Sequence, residues 1–438
     1  MAVTIPHAWY NLAADMPELS APYKIPDTGE DVDAAELEGL FPAGVIDQEF
    51  NTSDRYIQIP DKVMEFYAKW RPTPFVRADS LEKAIGTKSR IFYKYEGASP
   101  IGSHKANSGV AQAYFAKHAG VKRVYSETGA GQWGSAIAMG SAFFGLDAKV
   151  FMVGGSYDAK ASRRILMETF GAAVDRSPTA QTAAGRAVFD VDPTNSGSLG
   201  LAIAEAVEAA KADPEGAYAM GSAFNFVCLH QTVIGQELKQ QLHDADISPD
   251  YLVSCIGGGS SFAGLVFPFV TDERSPEFVA VESSAVPKVT RGRFAYDHGD
   301  TAGTTPLLRM YTLGHQFAAP AIHAGGLRYH GLSSQVSELI HGGGATAVAV
   351  GQREIFDAAV LFAKSEGLIP APESAHSIAA VIDLAKKHAD DPKDIVFCLT
   401  GHGFFDLAAY SKHLNGEIEA SDVVPGSIES SLAKIPAL

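Results

Sequence analysis

Four short segments of this 438-residue chain bring together residue types that could do chemistry. The first, YEGASPIGSHKANSGVAQAY at residues 95–114, closes an apolar run in small residues and then places Lys105 where a helix opens. The unpaired N–H groups of a helix start form an electropositive anion site. A lysine amine held there beside a phosphate-bearing aldehyde is poised to condense with it. The second, SETGAGQWG at 126–134, offers donors from Thr128, Gly129, Ala130 and Gln132 to a carboxylate, with Glu127 just before them as a proton-transfer group. In the third, CIGGGSSFAG at 255–264, successive glycine amides can face an anion, and Ser260 and Ser261 add hydroxyls. It lacks both the GxxxxGK[ST] and GxGxxG patterns, which makes ATP and NAD poor candidates. In the fourth, FCLTGHGFFDL at 397–407, Thr400 could share one hydrogen bond with a pyridine nitrogen, which a carboxylate would instead keep protonated. A neutral pyridine is the weaker electron sink and favours elimination and addition over transamination. Taken singly, each segment has a plainer reading: a surface lysine after a turn, a solvated glutamate, or a tight turn at a strand end.

All four lie where apolar β-rich runs meet glycine or small polar residues. RIFYKYE, RVYSE, AKVFMV, YLVSCIGGG, FVAVES and IVFCLTG each end this way, and helical stretches follow them. Repeated strand, glycine loop and helix predict an α/β fold with a mainly parallel sheet and sites at the carboxyl ends of its strands. The Ala-rich run 202–212 predicts an amphipathic helix. Residues 1–65, rich in Pro, Asp and Glu with little periodicity, predict an extended arm over the body of the protein, with one short helix starting near Asp61.

The chain is long enough for two or three domains. Hydrophobic residues at 46% and charged residues at 20% suit a soluble globular enzyme rather than a disordered chain. Thirty-five Lys and Arg against 51 Asp and Glu leave a charge of −16, which repels nucleic acid. The start, MAVTIPHAWYNL, has no basic region followed by an apolar one, and no run of about 18 apolar residues occurs. The expectation is a cytoplasmic protein that does not engage a membrane. Cys228, Cys255 and Cys398 are scattered among apolar neighbours and read as buried thiols, and no histidine spacing supports a transition metal.

In this order the four segments resemble the tryptophan synthase β chain and its fold-type II relatives dependent on pyridoxal 5′-phosphate (PLP). The likeness is greatest to the second, longer class of β chain. It extends through AWYNL, RPTPFVRADSLE, GSHKANS, ETGAGQWGSA, SLGLAIAEAVE, LHQTVIGQE, GGGSSFAG, YTLGHQFAAPAIHAGGLRYHG and EGLIPAPESAH. The resemblance implies two three-layer αβα domains with the cofactor between them. The arm would occupy 1–65, the larger phosphate-binding domain 66–103 and 229–438, and the smaller domain 104–228, with a mobile lid at about 120–213.

It further implies Lys105 as the Schiff-base lysine, His104 and Asn107 beside the cofactor, and Gly257, Gly258, Gly259, Ser260 and Ser261 around the phosphate. Glu373 would lie near the ring 3-oxygen and Thr400 at the pyridine nitrogen. Glu127 would be the acid/base, and Thr128, Gly129, Ala130, Gly131, Gln132 and Trp133 would hold the substrate carboxylate. A monovalent cation near the glycine loop and a homodimer are implied as well. The implied reaction is β-replacement through an aminoacrylate, joining serine or O-phosphoserine to indole or a related nucleophile. Alternatives are another β-replacement or elimination, such as serine deamination, and a catalytically silent PLP-binding regulatory chain.

The chain departs from the family pattern at Ser261, where Asn is common, and at Phe226, where the long class has His. Arg328 stands where ordinary β chains have Asp, as in the long class generally, while GGSYDAKASRR and HGLSS differ from the usual pattern. Arg328 and Phe226 are the candidate acceptor-side residues, and Arg328 is a fixed cation suited to a phosphate leaving group. The N-terminal arm would cover surface that ordinary β chains leave free, so a stand-alone enzyme without an α-type subunit is expected.

Overall fold

The computed structural model describes residues 3–421 and 423–437. Its larger sheet runs in the order Thr346–Val350, Glu277–Ser283, Tyr251–Cys255, Asp394–Leu399, Arg90–Tyr95 and Phe75–Arg77, parallel except for the last strand. A second, all-parallel sheet runs Ala173–Ser177, Asp147–Val153, Arg123–Thr128 and Gly216–Ala219. All six apolar runs expected as strands are strands.

A parallel sheet must be covered on both faces, and the side-chain period of two decides which residue meets which layer. In Asp394–Leu399, Ile395, Phe397 and Leu399 join a core with Phe356, Phe362 and Ile378 from the helices Gln352–Glu366 and Pro372–Lys387. Val396 and Cys398 face the opposite layer, with Phe262 and Leu238. Arg90–Tyr95 divides likewise, Ile91 and Tyr93 one way and Phe92 the other. In the smaller sheet Val150 and Met152 meet Ala136, Ile137 and Met139 of helix Gln132–Phe144, whereas Phe151 and Val153 meet Ala202, Ile203 and Val207 of helix Leu199–Ala212. Each sheet is therefore the middle of three layers, as expected. Cys228, Cys255 and Cys398 are free and buried.

The arm is not extended, which corrects the sequence reading. Ala8–Tyr10 pairs antiparallel with Tyr56–Gln58, and short helices form at Leu12–Asp15, Ala43–Glu49 and Asp61–Tyr67. Trp9, Tyr10 and Leu12 enter one core, and Tyr23, Phe41, Val45 and Ile46 enter another. These elements are too short to show a period, and tertiary burial rather than propensity holds them.

Candidate active site

The carboxyl ends of four strands point into one crevice between the sheets. Arg90–Tyr95 leads through a short turn to Lys105, the N-cap of helix Ala106–His118. The Lys105 side chain opens partly onto the crevice, and its Nζ donates to the Gly221 carbonyl at 3.2 Å. Burial lowers the amine to about 8, with Glu127 and Glu373 drawing it partly back. An amine so placed is a far better nucleophile near neutrality than a free lysine.

Glu127 is the last residue but one of the strand Arg123–Thr128 and is 4% exposed. Its Oε2 accepts a 2.6 Å hydrogen bond from the Tyr218 hydroxyl on the adjacent strand. Burial raises the carboxyl above its usual range, opposed by Tyr218 and by the backbone at Gly221. Thr128 Oγ1 accepts from the amides of Gly131 and Gly134, so this hydroxyl caps helix Gln132–Phe144. Gln132 Nε2 donates to Glu373 Oε2 at 3.1 Å, and the Trp133 indole N–H donates to Ser126 Oγ at 2.7 Å. The side chains of Thr128, Gln132 and Trp133 are thus structural, and the backbone of the loop is what remains to meet a carboxylate.

Gly257, Gly258 and Gly259 follow Tyr251–Cys255 and open helix Ser260–Val266. Gly259 has φ +100°, a conformation open to glycine. His104 Nδ1 lies 3.4 Å from the Thr400 carbonyl and Nε2 3.3 Å from Ser260 Oγ. A carbonyl can only accept, so Nδ1 carries the proton and Nε2 accepts from Ser260. Burial and the Lys105 charge lower His104 to about 3, so the ring is neutral. Thr400 Oγ1 lies 2.7 Å from Ser374 Oγ, and the pair ends the crevice beside Cys255.

Glycines close the seams between these walls. A Cβ on Gly257 would lie 2.1 Å from the Gly326 carbonyl oxygen, and one on Gly325 2.9 Å from Ala130 Cβ. The Gly326 amide donates to Glu373 Oε1 at 2.8 Å. The glycine loop, the 129–131 loop and Glu373 therefore all meet at Gly325–Gly326.

Beyond Gly129 a cavity of about 330 Å³ extends along Ser198, Leu199, Phe317, Tyr329 and Arg328. Arg328 Nη2 donates to the Ala319 carbonyl at 2.9 Å, its Nε is buried without a partner, and among the described residues it forms no ion pair. Burial lowers its pKa. A desolvated cation with free donor capacity facing a cavity suits an anionic ligand group.

Three expected site residues lie elsewhere. Asn107 is fully buried, with Oδ1 accepting from Arg71 and Nδ2 donating to Glu96 and Gln231, so its amide is spent on an internal charge network. The Ser261 hydroxyl donates to the Cys255 carbonyl at 2.9 Å and turns away from the glycine loop. Phe226 is 1% exposed and packs with Phe41, Phe224 and His230, forming core rather than acceptor pocket. Conversely, Tyr218 and Gly221 carry no signal in the sequence, whereas the signal for Ser374 is its place directly after Glu373 in PAPESAH. Lys160 Nζ donates to Asp406 Oδ1 at 2.7 Å and to the His323 carbonyl at 3.0 Å, joining residues 246 apart.

Residues 68–401 match the family described as "Pyridoxal-phosphate dependent enzyme". The chain is 48% identical over 439 residues to a tryptophan synthase beta chain of Pyrococcus horikoshii, covering 99% of this chain and 95% of that one. It is 51% identical to tryptophan synthase beta chain 2 of Thermotoga maritima, covering 93% and 97%. Among solved structures, the L-serine ammonia-lyase of Rhizomucor miehei superposes with a TM-score of 0.59 at 19% identity, covering 79% of this chain and 98% of that one. Maize serine racemase gives 0.59 at 15%, covering 82% and 98%. These two likenesses concern the fold. No helix among the described residues is long and apolar enough to cross a membrane.

Proposed function

Because the chain belongs to the pyridoxal-phosphate dependent enzymes, and among them to the tryptophan synthase β chains, we propose that it joins serine or O-phosphoserine to indole or a related nucleophile, giving tryptophan or an analogue. The observation that carries this reading is the shared crevice of Lys105 and Glu127, an amine and a carboxyl each held by one neighbour and close enough for the carboxylate's charge to act on the amine.

The glycine loop, where an added Cβ at Gly257 or Gly258 would strike neighbouring atoms, fits a phosphate. Gly257, Gly258, Gly259 and Ser260 would hold it, with His104 as a neutral partner through Ser260. Lys105 would carry the cofactor, Glu373 would stand at its ring edge, and the Thr400–Ser374 hydroxyl pair would face its pyridine nitrogen. Pyridoxal phosphate, when bound, supplies the electron sink that makes loss of the α-proton and of the β-substituent feasible. The Gly129, Ala130 and Gln132 amides would orient the amino-acid carboxylate. Lys105 would move the α-proton. Glu127, held neutral more readily than a surface glutamate, would give a proton to the departing oxygen and then orient the nucleophile. Arg328 would meet a leaving phosphate. The segment at about 120–213 would close over the crevice and exclude water, as the smaller-domain part of the 104–228 and 66–103 plus 229–438 division. The working form would be a cytoplasmic homodimer without an α-type subunit.

Purified enzyme offered serine or O-phosphoserine, with and without indole, is followed by mass spectrometry of the products. Tryptophan is expected only with indole, and O-phosphoserine is expected to react faster. Loss of a buried Arg–phosphate contact of ~1.5–3 kcal/mol in Arg328→Ala would erase ~10–100-fold of that preference. Pyruvate as the sole product regardless of indole would refute the synthase reading, and equal rates untouched by Arg328→Ala would refute the role of Arg328.

A further inference from the structure

Behind the glycine loop three polar atoms have no hydrogen-bond partner: Lys288 Nζ, His376 Nε2 and Ser377 Oγ. Their residues are 0–1% exposed. Lys288 follows the strand Glu277–Ser283, which pairs with Tyr251–Cys255, the strand that feeds the glycine loop. His376 and Ser377 project from helix Pro372–Lys387, which packs on both strands. Lys288 lies close enough to Cys255, Glu282 and His376 for their charges to interact.

An unpaired ammonium in this position is costly, and native proteins retain such groups where they do something. Glu282 does not pair with it directly, because its carboxylate is taken by the Val289 and Thr290 amides at 2.9 Å each and by Thr290 Oγ1 at 2.6 Å. The charge of Glu282 still acts across the gap. His376 donates from Nδ1 to the Pro372 carbonyl at 2.8 Å, and burial lowers it to about 4, so this ring adds no second charge and its Nε2 is an acceptor. Burial lowers Lys288 to about 8, leaving the ammonium as the main form at neutral pH. The monovalent cation expected near the glycine loop would have to share this desolvated region with a fixed positive charge, and the repulsion between two such charges is large where water is absent. The residues present do not fit it.

We propose that Lys288 is a built-in cation: its ammonium takes the place of a monovalent ion behind the glycine loop, making cofactor retention independent of the alkali ion supplied. The inference rests on the pyridoxal-phosphate reading of the site.

The test uses holoenzyme and its Lys288→Met variant, dialysed into tetramethylammonium buffer and then titrated with K⁺ or Cs⁺ at constant ionic strength. The readouts are cofactor dissociation, followed by absorbance, and the thermal midpoint. Wild type is expected to be indifferent to the ion. Lys288→Met is expected to hold the cofactor about tenfold more weakly in tetramethylammonium and to recover with K⁺ or Cs⁺. Should Lys288→Met fail to fold, Lys288→Ser takes its place. An ion-specific response of the wild type, or a variant that binds cofactor as wild type does in tetramethylammonium, overturns the proposal. A wild type that binds no cofactor on Lys105 would instead remove the reading beneath it.

Discussion

Replacing Tyr218 by Phe isolates one hydrogen bond without opening a cavity. The hydroxyl donates to Glu127 Oε2 at 2.6 Å, with Tyr218 2% and Glu127 4% exposed. Burial holds the Glu127 carboxyl above its usual range, and Tyr218 is first among the groups that oppose it. A hydrogen bond to a buried charged acceptor contributes ~1.5–3 kcal/mol. At ~1.4 kcal/mol per pH unit, its loss lifts the Glu127 carboxyl by a further ~1–2 pH units. Proton donation to the departing oxygen uses the neutral carboxyl, but orienting the nucleophile uses the carboxylate; with that second step limiting, the rate is present above the pKa and lost as pH falls through it, so the acid limb of the rate profile moves upward by the same amount. Below the limb, Tyr218→Phe is slower than wild type by ~10–100-fold, while the two converge on the alkaline side. The assay is the pH dependence of tryptophan formation from saturating serine and indole, with cofactor content and fold checked at each pH. An acid limb that stays in place in a folded, fully loaded variant would refute the assignment of that limb to Glu127.

Lys160→Met removes the tie between the helix Ala161–Thr169 and Asp406, whose side chains are 12% and 1% exposed at the contact. Leaving Asp406 unpaired costs ~3–5 kcal/mol in this arrangement, a shift of ~100-fold or more in the closure proposed for the 120–213 segment, so pyruvate released per tryptophan formed is expected to rise at least several-fold. An unchanged ratio in a lactate dehydrogenase-coupled assay would exclude a closing role for this pair. Glu49, fully buried, accepts from Tyr23 and from the Asn225 and Phe226 amides, and burial lifts it from 4.5 to about 7. A raised carboxyl contributes stability that is full below about 4.5 and is lost as pH rises through about 7, amounting to ~3 kcal/mol at most. Thermal midpoints should therefore fall with pH across that window in wild type and less so in Glu49→Gln; parallel curves would show that the arm's stability does not depend on this carboxyl.

The parts of the site that could be read in advance are those whose chemistry is local in sequence. Lys105, Glu127 and the glycine loop each sit within ten residues of the carboxyl end of a strand, so strand, turn and functional group are neighbours in sequence. Tyr218 was not legible, because one tyrosine in GAYA gains its role only from the pairing of Gly216–Ala219 with Arg123–Thr128. Ser261 differs from its motif's expectation for the opposite reason. Its place in the motif was clear, but which way a hydroxyl turns depends on the nearest unsatisfied carbonyl, here that of Cys255. Phe226 is itself a departure from the family pattern, and its place in the core is set by Phe41 and Glu49 of the arm, whose short elements show no period in the sequence.

The meeting of three walls at Gly325–Gly326 has a thermodynamic consequence. Gly325 and Gly326 have no side chains of their own to absorb a displacement, so a shift of the 129–131 loop is passed through their backbone to the Gly257 turn and, through the Gly326 amide, to the Glu373 carboxylate. The end of the crevice suited to a carboxylate and the end suited to a phosphate are in this way mechanically in series. Whatever change binding at one end makes in affinity at the other is matched by an equal and reciprocal change when the two ends exchange roles. An amino acid in the crevice and the cofactor beneath it are thus linked through Gly325–Gly326 as well as through any direct contact.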